Sequence, residues 1–147
     1  MKRHPSLIPL SREHHETLIL ARLLQKDAPE YKGLPTDSRG KADYAMKHYK
    51  NELIGHFEKE EIIIPLLKGQ HPEIDLLLHE IPEEHQELHR YFQSVYNQEN
   101  LDEHLDRLGK ALEAHVRKEE RQFFPLVQEH CSEEILKIID KTLADIH

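Results

Sequence analysis

Cysteine is nearly absent from this chain: 147 residues contain one, Cys131. No intramolecular disulfide can form, and a thiolate zinc site or an iron–sulfur cluster, each of which needs several cysteines, is excluded. A lone thiol fits a reducing, cytoplasmic setting. Basic residues are also in deficit. Twenty Lys and Arg against 28 Asp and Glu leave a net charge of -8 with histidines neutral, which argues against binding DNA or RNA through a basic surface. The longest apolar runs, such as Ile62-Ile63-Ile64 and Leu76-Leu77-Leu78, fall far short of the roughly 20 residues that span a bilayer. The start, Met1-Lys2-Arg3-His4-Pro5, leads into polar sequence without the apolar segment of a signal peptide. No segment alternates apolar and polar residues as a half-buried strand does.

What is present is helix-forming sequence and histidine. Long stretches rich in Leu, Glu, Lys, Arg and Gln are separated by Gly and Pro, which reads as an all-α chain of one domain, residues 1–147. The signals predict a first helix from Ser11, a good N-cap, to the residues before Pro29 and Gly33-Leu34-Pro35. A second runs from Asp37-Ser38 to Pro65 or Gly69, with Gly55 inside it. Pro72 opens a short helical piece, and Pro82 interrupts it and starts a third helix from Glu83 to Asn97. Asn100 caps a fourth helix reaching Glu129, and Ser132 caps a fifth ending near Ile146. Four long helices with short connections predict an antiparallel bundle over about residues 11–130, with the fifth helix (about 132–146) packed outside.

The core stripes carry polar residues. In the fourth helix Leu101, Leu105, Leu108, Leu112, His115, Glu119 and Leu126 share a face, and in the second Ala45, Tyr49, His56, Glu60, Ile63 and Leu67 do so. His85, Leu88, His89, Phe92 and Tyr96 line the third. A buried carboxylate without a partner is costly, so glutamates on such stripes imply cations, metals or a water-filled cavity. Of thirteen histidines, His4, His48, His71, His104, His130 and His147 read as isolated surface residues.

The other histidines form a pattern. Side chains four apart on a helix lie on one face and can share a metal, and His56 with Glu60, His85 with His89, and His115 with Glu119 all use that spacing. His14 or His15 adds a candidate from the first helix. The segments His56-Phe57-Glu58-Lys59-Glu60-Glu61 and His115-Val116-Arg117-Lys118-Glu119-Glu120 resemble each other, each followed by Pro-Leu. Imidazole and carboxylate together suit iron, zinc, manganese or copper, and so many ligands exceed one tetrahedral zinc while fitting two neighbouring ions, with iron preferred and zinc or manganese as substitutes.

These motifs, Ser11-Arg12-Glu13-His14-His15-Glu16, His56-xxx-Glu60, His85-xxx-His89 and His115-xxx-Glu119-Glu120 before Phe124-Pro125, stand in an order that resembles the hemerythrin-like, or HHE cation-binding, family from His14 to about Leu126. The resemblance implies a four-helix up-down-up-down bundle around an oxo- or hydroxo-bridged non-haem di-iron centre held by five histidines and two bridging carboxylates. It also implies reversible binding of dioxygen or another small ligand, redox or iron sensing, or iron handling. Two places depart from the family pattern: adjacent histidines in the first helix, and adjacent glutamates where classical members carry one aspartate five residues after the histidine. The candidate ligands are therefore His14, His15, His56, Glu60, His85, His89, His115, Glu119 and Glu120. Helical projection favours His14 over His15, and Glu119, about 40° from His115, over Glu120, about 140° away. A di-iron oxidase or peroxidase is the enzymatic alternative, but a ferritin-like site would carry Glu-x-x-His, which occurs nowhere in the chain. A structural metal-binding interaction module is the third reading. A metalloprotease is set aside, because neither His15-Glu16 nor His79-Glu80 completes His-Glu-x-x-His.

Overall fold

The computed structural model describes residues 2–146, so His147 lies outside the described residues. Five helices account for the fold: α1 (Ile8–Leu23), α2 (residues 38–67), α3 (Pro72–Gln93), α4 (residues 101–130) and α5 (Glu133–Ala144), with no strand among the described residues. Side-chain caps set most of the starts. Asp37 accepts from the Gly40 amide, Asn100 from Glu103 and Ser132 from Ile135, each satisfying a backbone donor the helix leaves unpaired. Gly69, at φ +82°, takes the left-handed conformation that ends α2 and that only glycine adopts cheaply.

Three expectations about the helices change. The first helix starts three residues earlier than Ser11, with Pro9 in its first turn and no side-chain cap, because a turn at His4–Leu7 feeds directly into it. Its end at Leu23 lies before Pro29, as expected. Pro82 does not begin a helix but lies inside α3. Proline there gives up an amide hydrogen bond. The helix persists because Ile74, Leu77, Ile81, His85, Leu88 and Phe92, spaced at three and four, are all buried on one face. That helix stops at Gln93, and Tyr96, half exposed at 48%, leaves the stripe on which the sequence places it.

α2 and α4 are each interrupted by one wide turn, in which the backbone bonds i to i+5. α2 consists of Ser38–His48, the wide turn Tyr49–Leu53 and Ile54–Leu67. α4 consists of Leu101–Lys118, the wide turn Glu119–Phe123 and Phe124–His130. Such turns rephase a helix by one residue and recur at functional sites. In α4 the wide turn begins at Glu119 itself.

Two apolar layers fill the interior. One contains Leu10, Ile63, Ile81, Phe123 and Phe124 together with Leu136, Ile139 and Leu143 of α5. The other contains Leu20, Leu53, Phe57, Leu88, Phe92, Leu108 and Leu112. The fifth helix lies beside the other four and closes the first layer. Between the layers, each of α1 to α4 contributes polar residues that are as buried as the core: His14, His56, Glu60, His85, His115 and Glu119 are 0–3% exposed. α1 approaches α4 closely at Gly109, where an added Cβ would stand 2.6 Å from the Ala21 carbonyl oxygen.

Candidate metal centre

Fully burying two carboxylates among imidazoles is expensive unless their charge is met, so the arrangement of this polar layer shows what it was built to hold. Four imidazole Nε2 atoms face the carboxylates of Glu60 and Glu119. His56 Nε2 lies 3.2 Å from Glu60 Oε2, His85 Nε2 lies 3.0 Å from Glu60 Oε1, and His115 Nε2 lies 3.5 Å from Glu119 Oε2. His14 Nε2 is 2.9 Å from Glu119 Oε1 and 3.0 Å from His56 Nε2. Two groups of candidate ligand atoms, each within 4.8 Å of one another, result: His14, His56, Glu60 and Glu119 on one side, and His85, His115, Glu60 and Glu119 on the other. Both carboxylates belong to both groups, as residues bridging two adjacent cation positions would.

Hydrogen bonding inside the protein leaves this cluster unfinished. Glu60 Oε2, both carboxylate oxygens of Glu119 and His115 Nε2 are buried without a hydrogen-bond partner. Glu119 Oε1 is near His14 Nε2 but is not aligned with it as a hydrogen bond. Orphaned buried acceptors are rare and need an explanation, and a cation between the Nε2 atoms and the carboxylates supplies one. The electrostatics agree. Burial disfavours a charged His14, yet Glu119, Glu120 and Glu60 push that imidazole up to about 12, and Glu60 and Glu13 push His56 up to about 9. Burial and the facing Glu60 carboxylate raise Glu119, whereas Glu60 is held well below the usual carboxylate range, against its burial, by His56, His14 and His85. The cluster calls for positive charge at its centre.

The outer side of every imidazole is also occupied. His14 Nδ1 is 2.6 Å from Glu120, His56 Nδ1 is 2.8 Å from Glu13, His85 Nδ1 is 2.7 Å from Glu61, and His115 Nδ1 is 2.7 Å from Glu84. A carboxylate only accepts, so Nδ1 donates in each pair and Nε2 is the atom turned to the cluster; this orients and tunes a metal-binding histidine. The pairing is cyclic. The glutamate of α1 holds the histidine of α2, that of α2 the histidine of α3, that of α3 the histidine of α4, and that of α4 returns to α1. Outside this ring stand cations and a hydroxyl: Arg3 and Ser11 on Glu120, Lys59 on Glu13, and Lys118 on Glu84.

The nine sequence candidates therefore fall into two sets. His14, His56, Glu60, His85, His115 and Glu119 converge. His15 is exposed on α1. Glu120 reaches the centre only through His14. His89 is half-buried, with Nδ1 hydrogen-bonded to the Tyr49 hydroxyl at 2.7 Å, and the Phe57 ring, stacked on His85 at 4.2 Å, also meets the edge of His89. Sequence reasoning passed over Glu13, Glu61 and Glu84. A local signal for them exists: each precedes or follows a cluster residue directly, in Glu13-His14, Glu60-Glu61 and Glu84-His85, as Glu120 follows Glu119. Neighbours on a helix project roughly 100° apart, so when one points inward the other lies at the seam with an adjacent helix.

Comparison with known proteins agrees with this geometry. The family model described as the hemerythrin HHE cation binding domain matches residues 9–127, a span that includes all six converging residues and the four outer glutamates. No curated protein and no solved structure matches the chain.

Proposed function

This chain belongs to the hemerythrin HHE cation-binding family, and from that membership we propose that it is a non-haem di-iron protein that reversibly binds dioxygen or another small ligand for sensing, carriage or iron handling. One observation carries the reading. Two buried carboxylates shared by two pairs of imidazoles, each imidazole already anchored through Nδ1, leave four inner polar atoms unpaired. His14 and His56 would hold one ion, His85 and His115 the other, and Glu60 and Glu119 would bridge them. Nitrogen and carboxylate oxygen donors without sulfur suit iron. The iron pair, when bound, supplies a redox couple and a coordination position open to a small ligand.

The residues of the chain perform the rest. Glu13, Glu61, Glu84 and Glu120 fix the tautomer and orientation of the imidazoles, and the apolar layers on either side keep water from the carboxylates. The order in which those layers occur along the helices supports the up-down-up-down bundle. α1 runs from Leu10 in the first layer past His14 to Leu20 in the second, α2 from Leu53 past Glu60 to Ile63, α3 from Ile81 past His85 to Leu88, and α4 from Leu112 past Glu119 to Phe123, so the direction reverses each time. No described helix is long and apolar enough to cross a membrane, and the free, buried Cys131 suits a cytoplasmic setting. Metal analysis with an absorption spectrum of the purified protein in air tests the proposal. Two irons per chain with an oxo-bridge charge-transfer band are expected, and zinc alone without that band would refute the iron reading.

A further inference from the structure

We propose that the two halves of the centre are electrostatically unequal and release iron in order, with the His85–His115 half holding its ion more tightly than the His14–His56 half. This rests on the two-ion reading above. The inner ligands do not distinguish the halves, since each offers two imidazoles and the same two carboxylates. The outer ring does.

Around His14 and His56 each outer glutamate has its own cation. Glu120 is paired with Arg3 at 3.1 Å and Glu13 with Lys59 at 2.7 Å, so that shell is neutral. Arg3 is well anchored, since it also bonds the Glu120 carbonyl, Ser11 and Gln128 and lies over the Phe124 ring. Around His85 and His115 there is one lysine for three carboxylates. Lys118 bonds Glu84 and is 3.0 Å from Glu80, while Glu61, bonded to His85, has no cation within ion-pair distance among the described residues. That shell carries two negative charges in excess. Charge close to a cation site sets affinity along with the ligands themselves. Because Glu61 is 40% exposed, solvent screens part of its effect, but it is hydrogen-bonded directly to the buried imidazole and acts through that bond as well.

The test uses iron-loaded protein kept ferrous and anaerobic, equilibrated against graded concentrations of a chelator, with bound iron per chain read by elemental analysis. Release is expected in two steps with a plateau at one iron, the two dissociation constants differing by at least about tenfold. His56→Ala should abolish the weaker step and keep the tight ion, and His85→Ala should abolish the tight one. Two charge variants that replace no inner ligand give an independent reading. Glu61→Gln keeps an acceptor for His85 Nδ1 but removes its charge, and Lys59→Gln leaves Glu13 uncompensated in the other shell. Each should narrow the gap by roughly three- to tenfold. Concerted loss of both irons, or a gap that either charge variant leaves unchanged or widens, overturns the inference while leaving the two-ion reading intact. A loaded protein that never holds more than one iron overturns that reading and this inference with it.

Discussion

Gly109→Ala should loosen the protein even though alanine is the better helix former. Gly109 lies in the middle of α4 where it crosses α1, and a Cβ there would meet the Ala21 carbonyl oxygen at 2.6 Å, with Gln25 Cγ and Leu24 Cβ at 3.0 Å. The first of these is backbone and cannot turn aside, so the helices must separate. Overpacking of this kind costs about 1–3 kcal/mol, and the helix-propensity gain of alanine over glycine returns about 0.5–1 kcal/mol. The net effect is a destabilisation of up to about 2.5 kcal/mol, or up to roughly 10 °C in Tm at about 2–4 °C per kcal/mol for a domain of this size. Gly55→Ala is the matched control. It is exposed in α2 with nothing within 4 Å of an added Cβ, so only the propensity term applies and Tm should rise by roughly 1–4 °C. Thermal unfolding followed by circular dichroism at fixed metal loading measures both. Because α1 and α4 carry His14 and Glu119, Gly109→Ala should also lower bound iron, which Gly55→Ala should leave unchanged. A rise in Tm for Gly109→Ala would refute the close approach of α1 and α4.

Metal removal should lower Tm, because the metal binds only the folded arrangement and adds about 4 kcal/mol when free metal stands a thousandfold above its dissociation constant; equal melting of stripped and loaded samples, with metal loss verified, would contradict the proposed centre. Glu119→Gln should lose more iron, and more of any charge-transfer absorption, than Glu120→Gln, since Glu119 faces both groups of ligand atoms and Glu120 acts through His14; the opposite ranking would exchange their roles. In α1, His14→Ala should abolish most of the iron that His15→Ala retains, because His14 is buried in the cluster and His15 is exposed; equal retention in iron assays would count against it. His89→Ala should cost less bound iron than His85→Ala, which a comparison of iron stoichiometries decides, and a greater loss from His89→Ala would mean that its bond to Tyr49 gives way when metal binds.

Much of the helical framework was legible along the chain because it is local. Caps at Asp37, Asn100 and Ser132 mark helix starts through bonds that span three residues, and burial of His56, Glu60, His115 and Glu119 follows from their phase with Leu and Ile on the same stripe. Pro82 misled for an equally local reason: its propensity signals a break, but the buried face on which Ile81 and His85 lie outweighs one lost hydrogen bond. Ser11 misled likewise. Its hydroxyl is engaged with Glu120, 109 residues away, rather than with its own helix.

Helical spacing by itself thus determined that His56, Glu60, His85, His115 and Glu119 turn inward, since a 3.6-residue period places them on the faces that carry Leu and Ile. Only the packing of the helices decided which glutamate holds which histidine, that Arg3 and Lys59 neutralise one half of the shell, and that His89 turns to Tyr49. Those contacts join residues on different helices, and their partners are chosen by how the helices sit side by side. The wide turns at Tyr49–Leu53 and Glu119–Phe123 belong with them. An extra residue in a turn has no propensity signature of its own, and at Glu119–Phe123 it goes with the placement of Glu119 in the buried cluster and of Glu120 on His14.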